Sequence, residues 1–194
     1  MPGRVTRSKL KKKFARYTYK KALPYLLKDF ENRCAYSCLH QQEIDVMEVD
    51  HFNPHLKSKK VQQYDNLMPS FGSCNRTKGS TWPSPADVAA GMYLIDPTRE
   101  QDYGHQIFED PKTYALVGTT PAGRYHIRVL GLNSPYLVNR RKIRSELRHY
   151  IKLLPSSTSA AWIDPATGQQ HQGHQVLQDV VDKMIPCIPP PPPH

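Results

Sequence analysis

Apolar positions recur along the chain at two different periods, and the changes of period mark the elements. Leu10, Phe14 and Tyr17 are spaced as on one face of a helix, and after a gap so are Leu23, Leu26, Leu27 and Phe30. Pro24 predicts the start of the second of these helices, because its ring fits a first turn but not a helix interior. Ile44, Val46, Met47 and Val49 instead predict a strand ending at Asp50-His51. Asn66, Leu67 and Met68 predict a short second strand, and Ser73 a cap for a helix beginning near Cys74. Strand, loop, strand, helix is a ββα unit.

The pattern then changes. Trp82 to Pro85 breaks the chain, and Ser84-Pro85 predicts a capped helix over Ala86 to Leu94. Ile107, Phe108, Tyr114, Leu116 and Val117 predict a hairpin. Thr120-Pro121 opens a further helix that Gly131 stops, although Tyr125, Ile127 and Val129 alternate as in a strand. Ser134-Pro135 opens a longer helix to about Leu154, with Leu137, Val138, Ile143, Leu147, Tyr150 and Ile151 along one side. After Pro155 the composition shifts. Ser156 to Ser159 reads as a linker and Asp164 to Gly168 as a turn. Val176 to Met184 reads as a short amphipathic helix, and Pro189 to Pro193 as an extended polyproline end. These shifts divide the chain into a basic helical arm (1–30), the ββα core (31–82), a supporting helical and hairpin region with a basic helix (83–154), and a linker with a Pro-rich, partly disordered tail (155–194). The fold class expected is α+β, since two short strands and one helix bury too little to stand alone and need supporting helices.

Charge narrows the partner. The 194 residues carry a net charge of +10, and only 38% are hydrophobic. Arg4, Arg7, Lys9, Lys11, Lys12, Lys13, Arg16, Lys20, Lys21 and Lys28 crowd the arm against Asp29 alone, and Arg140, Arg141, Lys142, Arg144, Arg148 and Lys152 crowd the helix after Pro135. A polyanion is implied, with nucleic acid first. No run approaches the ~18 apolar residues of a membrane span, and the N-terminus lacks the apolar stretch of a signal peptide. A cytoplasmic protein without a membrane partner is expected.

The chemistry concentrates around the ββα unit. Imidazole is the side chain whose ordinary pKa suits taking a proton from water, so His51 is the candidate general base. Asp50 and the Asn75 amide carbonyl are oxygen ligands of the type Mg²⁺ or Mn²⁺ prefers. Asp50 and His51 would divide the work, one facing the metal and the other the nucleophilic water. Lys78, three residues after Asn75 on the same helical face, and Arg76 are candidate phosphate contacts, together with Lys11, Lys12, Lys13, Arg140, Arg141 and Arg144. Asn66 joins the catalytic group, better placed to brace the loop by hydrogen bonds than to do chemistry. His55 lies near the site, as a metal or substrate contact or as a loop-packing residue.

The strings Glu48-Val49-Asp50-His51-Phe52, Tyr64-Asp65-Asn66-Leu67 and Cys74-Asn75-Arg76-Thr77-Lys78-Gly79 resemble the HNH endonuclease family, in its HNN variant because the last His is Asn75. The resemblance implies the ββα-metal fold, His51 as general base, Asp50 and Asn75 as metal ligands, and Asn66 as the loop brace. It also implies hydrolysis of DNA to 5′-phosphate and 3′-hydroxyl ends. Ile95-Asp96-Pro97, His105 to Glu109 and Ile127 to Pro135 are similar to the C-terminal half of bacterial HNH proteins that accompany ATPases or reverse transcriptases in anti-phage systems. That implies a defence role with a partner ATPase or sensor encoded alongside. Rival readings are a non-catalytic nucleic-acid-binding or assembly module and a ribonuclease toxin.

Many HNH proteins bind a structural Zn²⁺ through two Cys-x-x-Cys pairs, a pattern broken here. Cys34 and Cys38 are separated by three residues, and Phe71 stands where a partner for Cys74 would be. Cys34, Cys38, Cys74 and His40 would form a chemically acceptable Cys₃His set. The spacing favours small buried hydrophobes instead. A reducing compartment without disulfides is expected.

Overall fold

The computed structural model describes residues 7, 14, 18–44, 46–56, 63–100, 102–153, 161–163, 170–172 and 181. Lys11, Lys12 and Lys13, the loop lysines Lys57, Lys59 and Lys60, Cys187 and the polyproline end lie outside these residues.

Pro24 falls in the first turn of helix α1 (Leu23–Asp29), which follows a 3₁₀ turn over Tyr19–Ala22. The expected strand is β1 (Met47–His51) and its partner is β2 (Leu67–Phe71), paired antiparallel so that Asp50 lies opposite Met68 and His51 opposite Leu67. Asn66 sits in a 3₁₀ turn (Tyr64–Asn66) that feeds β2. Helix α2 (Gly72–Lys78) starts without a loop, so Phe71 occupies the cap position and no side chain caps the helix. The expected Ser73 cap is therefore corrected: the last residue of β2 fixes the helix start. Ala22 and Leu26 pack with Val49, Tyr64 and Leu67 on one side of the β1–β2 hairpin.

The supporting region follows. Ser84 caps helix α3 (Pro85–Ala89) through a reciprocal bond with Asp87. α3 stops short of the expected Leu94, because Gly91 turns to φ +75 and the Met92 N–H returns to the Asp87 carbonyl. Strands β3 (Ile107–Glu109) and β4 (Leu116–Gly118) form the expected hairpin. Gly118 touches the next helix so closely that an added Cβ would lie 2.3 Å from the Arg124 nitrogen. Helix α4 (Pro121–Val129) is capped by Thr120 and ends before Gly131, which adopts φ +61. Ala122, Tyr125, His126, Ile127 and Val129 are all buried. α4 is thus buried around most of its circumference, with Arg124 and Arg128 on the exposed stripe, and the strand-like alternation within it carries no facial information. Helix α5 (Pro135–Leu153) matches its expected span. Within the expected linker and tail, β5 (Ala161–Ile163) and β6 (Gln170–Gln172) pair antiparallel, so that segment is not structureless throughout.

The molecule is a mixed helix and strand fold with small antiparallel sheets, of α+β class. Its main core joins Cys34, Tyr36, Leu39, Met68 and Cys74 of the ββα part to Ile95, Ile107, Leu130, Leu132 and Leu137 of the supporting part. No helix among the described residues is long and apolar enough to cross a membrane.

Candidate active site

Side chains alternate across a strand. In β1 this sends Glu48 and Asp50 to the face that α2 covers, and Val49 and His51 to the face of the α1 side. The contacts follow that division. Glu48 accepts a 2.6 Å hydrogen bond from Asn75 Nδ2, and Asp50 lies 3.0 Å from Lys78 Nζ. Val49 joins the α1 cluster, and the His51 ring stands 4.6 Å from the Tyr19 ring, tilted by 47°. His51 is half-buried, and exposed Lys20 and Lys21 follow its ring partner directly.

Asp50 is only 4% exposed. A buried carboxylate needs donors around it. The Tyr36 hydroxyl donates to Oδ2 at 2.5 Å, and the Lys78 ammonium is 3.0 Å from both Oδ1 and Oδ2. Burial first, and then the Asp50 charge, push the Tyr36 phenol well above its ordinary pKa, so it remains a proton donor. Tyr36 is fixed in turn: its carbonyl accepts from the Tyr103 hydroxyl at 2.6 Å, and its ring meets the His126 ring edge-on at 6.1 Å.

Asn66 contacts the loop after β1 through both amide atoms. Its Oδ1 accepts from the Asn53 N–H at 2.9 Å, and its Nδ2 donates to the Asn53 carbonyl at 3.0 Å. The Phe52 N–H donates to the Asn66 carbonyl at 2.8 Å. These bonds hold the backbone immediately after His51. The His55 N–H donates to Asn53 Oδ1 at 2.9 Å, and its ring Nε2 lies 2.9 Å from the Ser80 carbonyl, which ties the loop to the end of α2.

Several expected phosphate contacts lie inside the fold. Lys78 is 1% exposed, and its ammonium also donates to the His51 carbonyl at 2.8 Å. Arg141, at 1% exposure, donates to the carbonyls of Tyr114 and Leu132. Arg144, at 2%, forms a 2.5 Å ion pair with Glu109. Arg140 pairs with Glu43. Arg7, from the basic arm, donates to the Tyr64 and Leu67 carbonyls and lies 5.5 Å over the Phe30 ring. The solvent-facing set is corrected accordingly. Lys78, Arg141, Arg144 and Arg7 leave it because they donate to acceptors within the fold. Arg76, at 72% side-chain exposure beside Glu48, stays in it.

The cysteines form a second buried cluster. Cys34 Sγ accepts from the N–H groups of Phe71, Tyr36 and Ser37 at 3.2, 3.4 and 3.4 Å. Burial raises the Cys34 thiol, but hydrogen bonds from Cys74, Phe71 and Ser37 outweigh it and bring the group to about 6. Cys74 is pushed the other way, first by its bond to Cys34 and then by burial. The His40 ring accepts the Gln42 N–H, capping a 3₁₀ turn (Gln41–Glu43). Cys34, Cys38, Cys74 and His40 do not gather as a ligand set: among the described residues no group of three or more His, Cys, Asp or Glu side chains is placed to hold a metal.

Three residues of the site escape a sequence reading. Strand period alone could have pointed to Glu48, since it shares a strand face with Asp50. Tyr36 and Tyr19 come from outside the strands, and no local pattern points to them.

A hard divalent ion is compatible with the donors on the α2 side. Glu48, Asp50 and the Asn75 carbonyl offer oxygen alone, and the fold already sets one cation, the Lys78 ammonium, against Asp50.

Comparison with known families gives a match to the family model described as HNH endonuclease, over residues 32–81. Neither the curated proteins nor the solved structures give a match. The matched segment begins two residues before Cys34 and ends three after Lys78, so it contains β1, the Asn66 turn, β2 and α2 entire. This chain therefore carries an HNH endonuclease domain over residues 32–81, about a quarter of its length.

Proposed function

We propose that the protein is a metal-dependent endonuclease that hydrolyses phosphodiester bonds of DNA, leaving 5′-phosphate and 3′-hydroxyl ends. The observation that carries the reading is the ββα frame of the HNH domain, with Asp50-His51 ending β1 and Asn75 on α2 beside it. In this reading His51 takes a proton from water, whose oxygen attacks phosphorus in line as the bond to the 3′ oxygen breaks. The departing oxygen leaves with a proton from solvent. Tyr19 supports the imidazole from one side, and Asn66 fixes the turn of backbone that follows it. Asp50 and Asn75 would hold Mg²⁺ or Mn²⁺, with Glu48 adjacent. When bound, such an ion supplies stabilisation of the charge that develops on the phosphate and the departing oxygen. Lys20, Lys21 and Arg76 are exposed near these groups and suit backbone phosphates.

The resemblance of the supporting region to defence-associated proteins supports a role as an anti-phage effector beside an ATPase or sensor. The test of the chemistry offers supercoiled plasmid and tRNA in parallel, with Mg²⁺ and with EDTA. Nicking of plasmid that EDTA abolishes, with tRNA intact, is the expected result. Cleavage that survives EDTA, or tRNA cut in preference to plasmid, overturns the reading.

A further inference from the structure

Lysine is almost never fully buried unless paired. Lys78 is buried at the centre of the site, and its three donor positions meet Asp50 Oδ1, Asp50 Oδ2 and the His51 carbonyl at 3.0, 3.0 and 2.8 Å. The Tyr36 hydroxyl takes a further lone pair of Oδ2. Asp50 is thus engaged by donors at both oxygens and neutralised from within the chain, at the position where the nuclease reading needs a metal ligand.

We propose that the Lys78 ammonium is the resident counter-ion of Asp50, and that a divalent ion reaches Asp50 only by displacing it. The inference rests on the nuclease reading for its metal, and on this chain's own contacts for the displacement. Two cations cannot share one buried carboxylate cheaply, because their repulsion is strong where water is excluded. The lysine stem is long and flexible, so the ammonium can withdraw without moving the helix. Tyr36 carries no charge and does not compete; it keeps Asp50 aimed while the cations exchange. Lys78 is therefore a positioning residue in the metal-free protein and a competitor of the metal.

The test measures Mn²⁺ affinity of the full chain by titration calorimetry, without DNA, for the wild type and for Lys78→Met. The variant is expected to bind Mn²⁺ about tenfold more tightly, because no resident charge has to leave. Equal or weaker binding by the variant overturns the proposal, and so does the absence of Mn²⁺ binding by both chains. If Lys78→Met does not fold, the wild type alone decides. Its buried ammonium gives a slowly exchanging ¹H–¹⁵N signal that is expected to shift or vanish as Mg²⁺ is added. A signal unchanged at saturating Mg²⁺ overturns the proposal. The nuclease reading fails separately, by absence of EDTA-sensitive cleavage while the ammonium is still displaced.

Discussion

Tyr36 holds Asp50 by a single hydrogen bond, and that bond has a measurable worth. Tyr36→Phe removes the hydroxyl and leaves a buried carboxylate oxygen with one donor fewer, at an expected cost of about 1–3 kcal/mol. Urea unfolding of the two chains measures it, and an unchanged midpoint would place the hydroxyl outside the support of Asp50. His126 behaves differently. It is fully buried, its Nδ1 accepts the Ile95 N–H, and burial lowers its pKa from 6.5 to about 3. Between those values the unfolded chain binds a proton that the folded chain refuses. Stability from this group is therefore complete above about pH 6.5 and is lost as the pH falls toward 3, at up to about 1.4 kcal/mol per unit. In His126→Gln, which keeps an acceptor but does not titrate, this part of the acid sensitivity is expected to disappear from urea midpoints taken across that range.

The elements divide the labour. In the proposed nuclease the β1–β2 hairpin and α2 supply the reactive side chains, and the turn before β2 supplies the brace. Asn66→Ala releases both backbone groups of Asn53. It is expected to slow nicking severalfold while leaving DNA affinity unchanged, because the affected loop follows His51 and carries no charge in the bond itself. Loss of affinity with unchanged rate would argue against a bracing role. Helix α5 is pinned to the β3–β4 hairpin by the buried Arg144–Glu109 pair. Arg144→Met strands the glutamate and is expected to cost about 3–5 kcal/mol, with much of that recovered when Glu109→Gln is added. Calorimetric melting of the single and double variants reads both.

Most of these elements were legible from caps and periods. Pro24, Ser84-Pro85, Thr120-Pro121 and Ser134-Pro135 each mark a helix start, and Gly131 marks a stop. The α2 start was not legible, since a strand that runs straight into a helix needs no capping side chain. The candidate site was legible where its residues are adjacent in sequence or in strand period. Its support by Tyr19, Tyr36 and Lys78 was not, because burial and pairing across elements leave no local signature. The same reason explains the buried arginines: a basic run on a helix does not say which of its members find carboxylates and carbonyls in a neighbour.

The whole molecule carries +10, but the charge does not coat it evenly. Arg7, Lys78, Arg141 and Arg144 neutralise or bind groups within the fold, and Lys20, Lys21 and Arg76 remain on the surface near the site. The surface residues govern salt dependence. Replacing Lys20 and Lys21 with alanine is expected to reduce the slope of log affinity against log salt by about 2, because each neutralised phosphate contributes roughly 0.9. Arg141→Met is expected to lower the melting temperature and leave that slope alone. A slope changed by Arg141→Met and not by the lysine pair would reverse the assignment. The central claim concerns His51, and the most direct measurement compares plasmid nicking by the wild type and His51→Ala in Mg²⁺, with DNA affinity followed alongside. The account predicts a nicking rate lower by about 10²-fold or more with affinity nearly unchanged; equal nicking rates would contradict it.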